Sequence, residues 1–364
     1  MKENRKKTMV AVIFGGNSSE YGVSLSSASA VLEHMDLRRF TPLMIGISNQ
    51  GEWFYYNGTI EQIKEDSWCN EANCKPARLL LEPGKKEFIV SIGGTYVHLP
   101  FDIAFPVMHG KNGEDGTIQG MLELAGVEFV GCKTLASALC MDKERAHKLV
   151  SVEGIRVAKS MVLSNMQDNQ KNIDAFIGKV GLPVFIKPLK AGSSYGITKV
   201  GEKEQVMEAI DLAFSYDQQV IIEENIEGFE VGCAIMGTEE LIVGEVDEIE
   251  LTDGFFDYTE KYTLKSSKIH VPARIPVEMR QQVQDTAKVI YGALGCSGLA
   301  RVDLFITPER ELVFNEVNTI PGFTEHSRFP NMMKEIGFTY EQLITKLLLT
   351  ELEVEEEKWE CITI

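Results

Sequence analysis

Long apolar runs, paired cysteines and excess positive charge are all missing from this 364-residue chain, and each absence excludes something. No segment approaches the ~20 apolar residues of a membrane-spanning helix, so no such span is expected. Lys2 to Lys7, followed by the apolar run Met9–Phe14, superficially resembles a signal peptide. That run is shorter than the ~7–15 residues of a signal core. Gly15-Gly16 closes it without a cleavage pattern, and it reads as a buried strand. The seven cysteines are odd in number and scattered, with no Cys-x-x-Cys among them. They predict reduced thiols in a cytoplasmic protein, and none sits in an evident nucleophile setting. A net charge of −18 argues against nucleic-acid or anionic-membrane surfaces, which favour basic patches. Part of that charge lies in Glu351-Leu-Glu-Val-Glu-Glu-Glu357, read as a solvated end. Two common nucleotide cradles are absent as well: neither Gly-x-x-x-x-Gly-Lys-Ser/Thr nor Gly-x-Gly-x-x-Gly occurs.

What is present suits a soluble enzyme, with 44% hydrophobic and 25% charged residues and length enough for two or three domains. Three regions are expected. Residues 1–135 alternate strands and helices: strand Met9–Phe14, a helix near 24–35, strand Ile103–Val107 and a helix from Thr117 to Ala125. Leu25, Ala28, Leu32 and Met35 share one face of the first helix, and the pattern is that of a parallel βαβ domain. Residues 136–220 form a smaller α+β unit with the apolar strand Pro183–Ile186 and the loop Gly192–Gly196. Residues 221–364 carry short strands and helices near 277–294 and 339–350. No internal repeat or low-complexity tract is evident.

Chemistry concentrates in residues 301–322. Residues 300–305 alternate, with Arg301 and Asp303 on one side, and residues 311–318 alternate again, placing Glu316 and Asn318 on one face. If the two strands pair as a hairpin, Asp303, Glu316 and Asn318 converge as an all-oxygen set suited to Mg²⁺. A solvated strand face is the competing reading. Lys187 ends an apolar strand and leads into the Gly/Ser loop that closes at Gly196. Its backbone N–H groups and serines could cradle phosphate, with Lys187 as a point charge; a plain turn is the alternative.

Taken in order, seven blocks resemble the D-alanine–D-alanine ligases of the ATP-grasp superfamily, over essentially the whole chain. They are Gly15 to Glu20, His109 to Gly116, Met141-Asp-Lys143, Lys187 to Gly196, Glu260-Lys-Tyr262, Arg301-Val-Asp303 and Glu316 to Gly322. The resemblance is strongest to the D-alanine–D-serine ligases of vancomycin-resistant bacteria. It implies a fold of α/β and α+β units, with an N-terminal βαβ domain before the ATP-grasp, and a cytoplasmic enzyme that forms a homodimer. It implies ATP held by Lys143, Lys187, Ser193, Ser194 and Lys261, with Glu223 and Glu230 near adenine and ribose. Asp303, Glu316 and Asn318 are then ligands of two Mg²⁺ ions, for which Mn²⁺ can substitute. Arg301 and the Gly322 N–H form the oxyanion hole. Glu20, with Ser193 and Tyr262, holds the first D-alanine's ammonium; as a bare sequence feature Glu20 could equally cap the following helix. His109 is a donor to substrate or phosphate, and Glu114 orients the Glu20 network.

The second substrate is read from two places. The segment Phe255 to Tyr262 keeps the Glu-Lys-Tyr element that D-lactate ligases replace, which implies an amine nucleophile. Residues 250–268 are expected to form a lid. Ser327 and Arg328 follow Gly322, and Arg328 stands where housekeeping ligases usually carry Leu or Lys. A guanidinium there can fork onto a carboxylate and orient a hydroxyl. The chain departs from the common Glu-x-Glu-Val-Ser pattern at Gly22. The implied activity is ligation of D-alanine to D-serine, with D-alanine–D-alanine ligation as the near alternative. A nucleotide-sensing binding module or a carboxylase-type subunit is the alternative from another class.

Overall fold

The computed structural model describes residues 7–164, 170–190, 196–251 and 267–352. Three sheets organise them. The first comprises β1 (Thr8–Gly15), β2 (Phe40–Ile47), β3 (Trp53–Tyr56), β4 (Cys74–Leu79), β5 (Glu87–Ile92), β6 (Thr95–Pro100) and β7 (Ile103–Val107), in the order β6-β5-β4-β3-β2-β1-β7. Only β2-β1-β7 is parallel; β3 to β6 add an antiparallel meander that the expected βαβ pattern did not include. The central strand β1 is apolar without alternation because both its faces are buried. Val10, Val12 and Phe14 face α1 (Tyr21–His34) in one core, while Ala11 and Ile13 share the opposite core with Ile118 and Leu122.

Past the short α2 (Ile60–Lys64) and α3 (Thr117–Leu124), helices α4 (Thr134–Met141) and α5 (Lys143–Val152) lead to β8 (Arg156–Val157). Cys132, Ala136, Ala146 and Val150 pack with Val302 and Phe314 of the last sheet, so this stretch belongs to the third core rather than the central unit. The central sheet is antiparallel, ordered β11-β10-β12-β9, from β9 (Ser160–Leu163), β10 (Val184–Pro188), β11 (Thr198–Val200) and β12 (Val220–Glu224). Helices α6 (Gln170–Val180) and α7 (Val206–Phe214) close its core through Ile173, Ile177, Ala209 and Ile210.

The third sheet comprises β13 (Phe229–Met236), β14 (Ile242–Leu251), β15 (Ser267–His270), β16 (Leu299–Ile306) and β17 (Leu312–Asn318), with β8 at its edge. Helix α8 (Val277–Ala293) packs on one face through Val283, Ala287 and Ile290. Helix α9 (Arg328–Glu335) packs on the other face, against β13 and β14, and with α10 (Tyr340–Glu351) it shares the core of the first sheet. Phe329, Met332, Leu343 and Leu347 share one core with Val10, Val12 and Phe105, and the rings of Phe105 and Phe323 meet edge-on at 6.1 Å. The N-terminal and C-terminal units are thus locked around the segment that joins β17 to α9. The expected lid, 250–268, falls largely outside the described residues. No described helix is long and apolar enough to cross a membrane.

Gly15 shows how tightly the β1 end is built. Its φ is +86°, and an added Cβ would lie 2.1 Å from the Ile47 carbonyl oxygen. That same oxygen accepts the Gly16 N–H at 2.9 Å. Gly84 has the same φ of +86° but nothing within 4 Å of such a Cβ. Gly15→Ala should therefore cost roughly 1–3 kcal/mol more than Gly84→Ala, the overlap being added to a common backbone strain. Thermal melts of the two variants measure the difference; equal melting points would contradict it.

Candidate active site

The β16–β17 hairpin places the expected metal residues together. Asp303 lies directly opposite Glu316, and Arg301 opposite Asn318, so all four project from one face. Asp303 is buried and accepts from Arg301 three times, from Nε to Oδ1 at 2.8 Å and Oδ2 at 3.1 Å and from Nη2 to Oδ2 at 2.7 Å. Asn318 Nδ2 donates to Oδ2 at 2.9 Å. No group of three or more His, Cys, Asp or Glu suited to a metal occurs among the described residues. What the hairpin offers is two carboxylates and an amide, an all-oxygen set of the kind that suits a hard divalent ion. The pairing slips by one residue after Asp303, leaving Asn315 as a bulge.

The same sheet face continues across β13 and β14 into a buried network with Arg328 at its centre. Arg328 is the first residue of α9, and its Nε and Nη2 each reach Asp247 at 2.7 Å. Nη1 donates to Glu230 at 2.6 Å and lies 3.4 Å from Asp303 Oδ1. Gly232 makes room: a Cβ there would sit 2.4 Å from Arg328 Nη2 and 2.8 Å from Asp247 Oδ1. Its N–H also donates to Asp247 Oδ1 at 2.8 Å. This setting differs from the expected one. The guanidinium expected on a substrate carboxylate is forked onto a protein carboxylate, and Glu230, expected near ribose, is its second partner. Asp247 escaped the sequence reading because it sits within an ordinary alternating run of β14, with no motif to mark it.

The first sheet supplies a grip on the loop after β17. Glu114 accepts the N–H of Ile320 at 3.1 Å and that of Gly110 at 2.8 Å. His109 Nδ1 donates to the Ile320 carbonyl at 2.8 Å, and Nε2 lies 3.0 Å from Ser27 Oγ. Ser27 Oγ in turn accepts the Phe323 N–H at 3.2 Å. Both nitrogens of His109 are thus occupied by protein, whereas a donor role to substrate or phosphate was expected. Burial pushes its pKa down to about 4, so the ring is neutral. Gly322 lies between the gripped residues; Ser327, on the N-terminal side of α9, has its Oγ 3.0 Å from where a Gly322 Cβ would be. Glu20 is buried at the start of α1 and makes no side-chain capping bond there. Its Oε2 would lie 2.2 Å from a Cβ on Gly110, so the carboxylate packs directly over the His109-Gly110 turn.

On the central side, Lys143 and Lys187 are both buried, Lys143 at the first position of α5 and Lys187 on β10. Lys187 Nζ pairs with Glu223 Oε2 at 2.6 Å, so the carboxylate expected near adenine lies on the lysine expected at the phosphates. His147, not foreseen from sequence, stands behind them 3.8 Å from Glu223 Oε1. Ser193, Ser194, Lys261 and Tyr262 lie outside the described residues.

Family models described as D-ala D-ala ligase N-terminus and C-terminus match residues 9–132 and 149–349. The chain belongs to the D-alanine–D-alanine ligase family. It is 44% identical to vancomycin C-type resistance protein VanC1 of Enterococcus gallinarum, over 93% of this chain and 97% of that protein. It is 40% identical to the D-alanine–D-alanine ligase of Caldicellulosiruptor bescii, over 97% of each. Among solved structures, the VanG D-Ala:D-Ser ligase of Enterococcus faecalis superimposes with a TM-score of 0.87 at 55% identity, covering 95% of this chain and all of that one. The D-alanine–D-alanine ligase of Coxiella burnetii gives 0.84 at 26% identity, covering 98% of this chain and 97% of that one. The fold is the ATP-grasp fold of these ligases.

The grip of Glu114 on this ligase's loop has a pH signature. Burial, then the neighbouring Glu20, raises its pKa from 4.5 to about 8. A raised carboxylate pKa favours the protonated native state, so its stabilising share is full below 4.5 and is lost as pH rises to about 8. Glu114→Gln, a neutral mimic, removes that loss. Its stability relative to the parent should climb across this window in denaturant melts, and a pH-independent difference would contradict the assignment.

Proposed function

We propose that this chain joins D-alanine to D-serine at the expense of ATP, through D-alanyl phosphate. The observation that carries the ligase chemistry is the single hairpin face bearing Arg301, Asp303, Glu316 and Asn318, with the gripped Gly322 loop following it. In this reading Lys143 and Lys187 hold the phosphates, where positioning and charge do most of the work of phosphoryl transfer. Asp303, Glu316 and Asn318 would hold Mg²⁺, which when bound offsets phosphate charge. Glu20, with Ser193 and Tyr262, holds the ammonium of the first D-alanine, whose carboxylate oxygen attacks the γ-phosphorus as ADP leaves. The second substrate's amine then attacks the acyl carbon and loses a proton, and phosphate departs. Arg301 and the Gly322 N–H receive the oxyanion; removing one such donor typically costs roughly 2.7–4 kcal/mol of barrier.

The D-serine assignment rests on the 55% identity to a D-Ala:D-Ser ligase and on Arg328. An apolar pocket rejects an added hydroxyl only about 10²-fold, so preferring D-serine requires polar groups that its hydroxyl satisfies. Asp247 and Glu230 hold Arg328 rigid and give this region a polar wall. D-alanine–D-alanine ligation is the second reading, favoured by relatives such as the Caldicellulosiruptor bescii enzyme.

Product analysis with ATP, Mg²⁺, D-alanine and D-serine in competition should give mainly D-Ala-D-Ser. D-Ala-D-Ala alone would overturn the D-serine reading, and nucleotide binding without any dipeptide would favour a sensor module. Arg328→Lys keeps the charge beside Asp247 but loses the fork. It should lower kcat/KM for D-serine more than for D-alanine by roughly 1–2 kcal/mol, and an unchanged ratio would remove Arg328 from selection. Glu316→Gln should leave the circular dichroism spectrum intact and abolish ADP formation; parental turnover at saturating Mg²⁺ would remove the metal assignment.

A further inference from the structure

His147 has no part in the chemistry above, yet it is buried against the nucleotide lysines. It follows Lys143 by four residues on α5, so the two side chains share a helix face. Its Nε2 lies 2.8 Å from the carbonyl oxygen of Asn315, the bulge residue of β17. A carbonyl only accepts, so Nε2 carries the hydrogen and the neutral ring presents a bare lone pair at Nδ1. That lone pair faces Glu223 Oε1 at 3.8 Å, and neither atom has a hydrogen-bond partner among the described residues. The other oxygen of Glu223 is held by Lys187 at 2.6 Å. An imine nitrogen opposite a carboxylate oxygen, both buried, is one proton short of a hydrogen bond.

Among the described residues, the charged groups around the ring are few. Glu223 faces it from β12, Lys187 from β10 and Lys143 from its own helix, while β17 contributes only the Asn315 carbonyl and the edge-on Phe314 ring at 5.4 Å. With Lys187 on Glu223, that carboxylate is already compensated. Burial, the largest influence, lowers the pKa of His147, helped by the two lysines and opposed by Glu223 and the Asn315 carbonyl. Drawing Lys187 onto a phosphate changes this, because it strips a buried carboxylate of its counterion while bringing negative charge nearby.

We infer that His147 is a positioning residue of the nucleotide site: as Lys187 turns to phosphate, His147 takes a proton from solvent at Nδ1 and becomes the cationic partner of Glu223. Nucleotide binding is thereby coupled to proton uptake, and Glu223 stays in place instead of competing for the lysine. The inference rests on the assignment of Lys187 to phosphate and deepens it.

The test is calorimetric titration of the full chain with Mg²⁺ and a non-hydrolysable ATP analogue, near neutral pH, in buffers of differing ionisation enthalpy. The dependence of observed heat on buffer enthalpy counts protons exchanged, and the analogue's own protons cancel between variants. The parent should take up more protons than His147→Gln, approaching one per nucleotide, with the variant still binding. Gln keeps a donor for the Asn315 carbonyl, so a structural role alone would not change the count. On the parent itself, ¹⁵N-histidine spectra should show the His147 Nδ1 signal move from bare imine to protonated nitrogen on adding analogue. Equal proton counts, or an unmoved Nδ1 signal with analogue bound, would overturn the inference. Failure of the parent to bind would overturn the nucleotide reading and this inference together.

Discussion

A carboxylate taken out of water must find a cation or hydrogen-bond donors, and this one constraint organises the interior of the candidate site. Asp303, Asp247 and Glu223 are all buried, and each is met by its own cation: Arg301, Arg328 and Lys187. Each pair fixes a structural choice. Arg301 meets Asp303 because they alternate onto one face of β16. Arg328 reaches Asp247 because α9 begins where Gly232 leaves room for a guanidinium. Lys187 meets Glu223 because β10 and β12 run antiparallel, with Phe185 opposite Glu223 and Lys187 opposite Ile221. A charge-rich interior of this kind is weak as a source of stability, and under the proposed function its value lies in holding groups ready for a phosphorylated, metal-bound substrate.

The remaining order comes from the shared core. Phe323 sits between the Phe105, Phe329 and Tyr340 rings, so the segment carrying Gly322 is anchored in apolar packing on one side. On the other side, His109, Glu114 and Ser27 hold its backbone through Ile320 and Phe323. A loop fastened at both its hydrophobic and its polar faces can present one N–H with little freedom, which is what an oxyanion donor requires. The residues that fasten it come from a different sheet, so the N-terminal unit is part of the site and not merely attached to it.

The legible parts of the sequence were those with local periodicity. The buried run of β1, the alternation of β16 and β17 and the apolar stripes of α1 and α10 lie where their patterns place them, because burial on one or both faces writes itself into neighbouring residues. The meander β3 to β6 was missed although part of it was legible: Phe88 and Val90 alternate onto the buried face of β5, and Gly93-Gly94, both at positive φ, make the two-residue turn into β6. The partners of Arg328 left no such local trace. Asp247 and Arg328 are 81 residues apart and meet only through tertiary packing. His147 was equally silent, since its meaning depends on a bulge in β17 that turns one carbonyl inward.

The central claim is that a substrate carboxylate is activated by phosphorylation, and isotope transfer tests it most directly. D-alanine labelled with ¹⁸O in both carboxylate oxygens, turned over with ATP, Mg²⁺ and D-serine, should release inorganic phosphate carrying one ¹⁸O. Its partner oxygen should remain in the new peptide carbonyl. Dipeptide formed with unlabelled phosphate would contradict an acyl phosphate, and with it the roles given to Arg301, Gly322 and the carboxylate face of the hairpin.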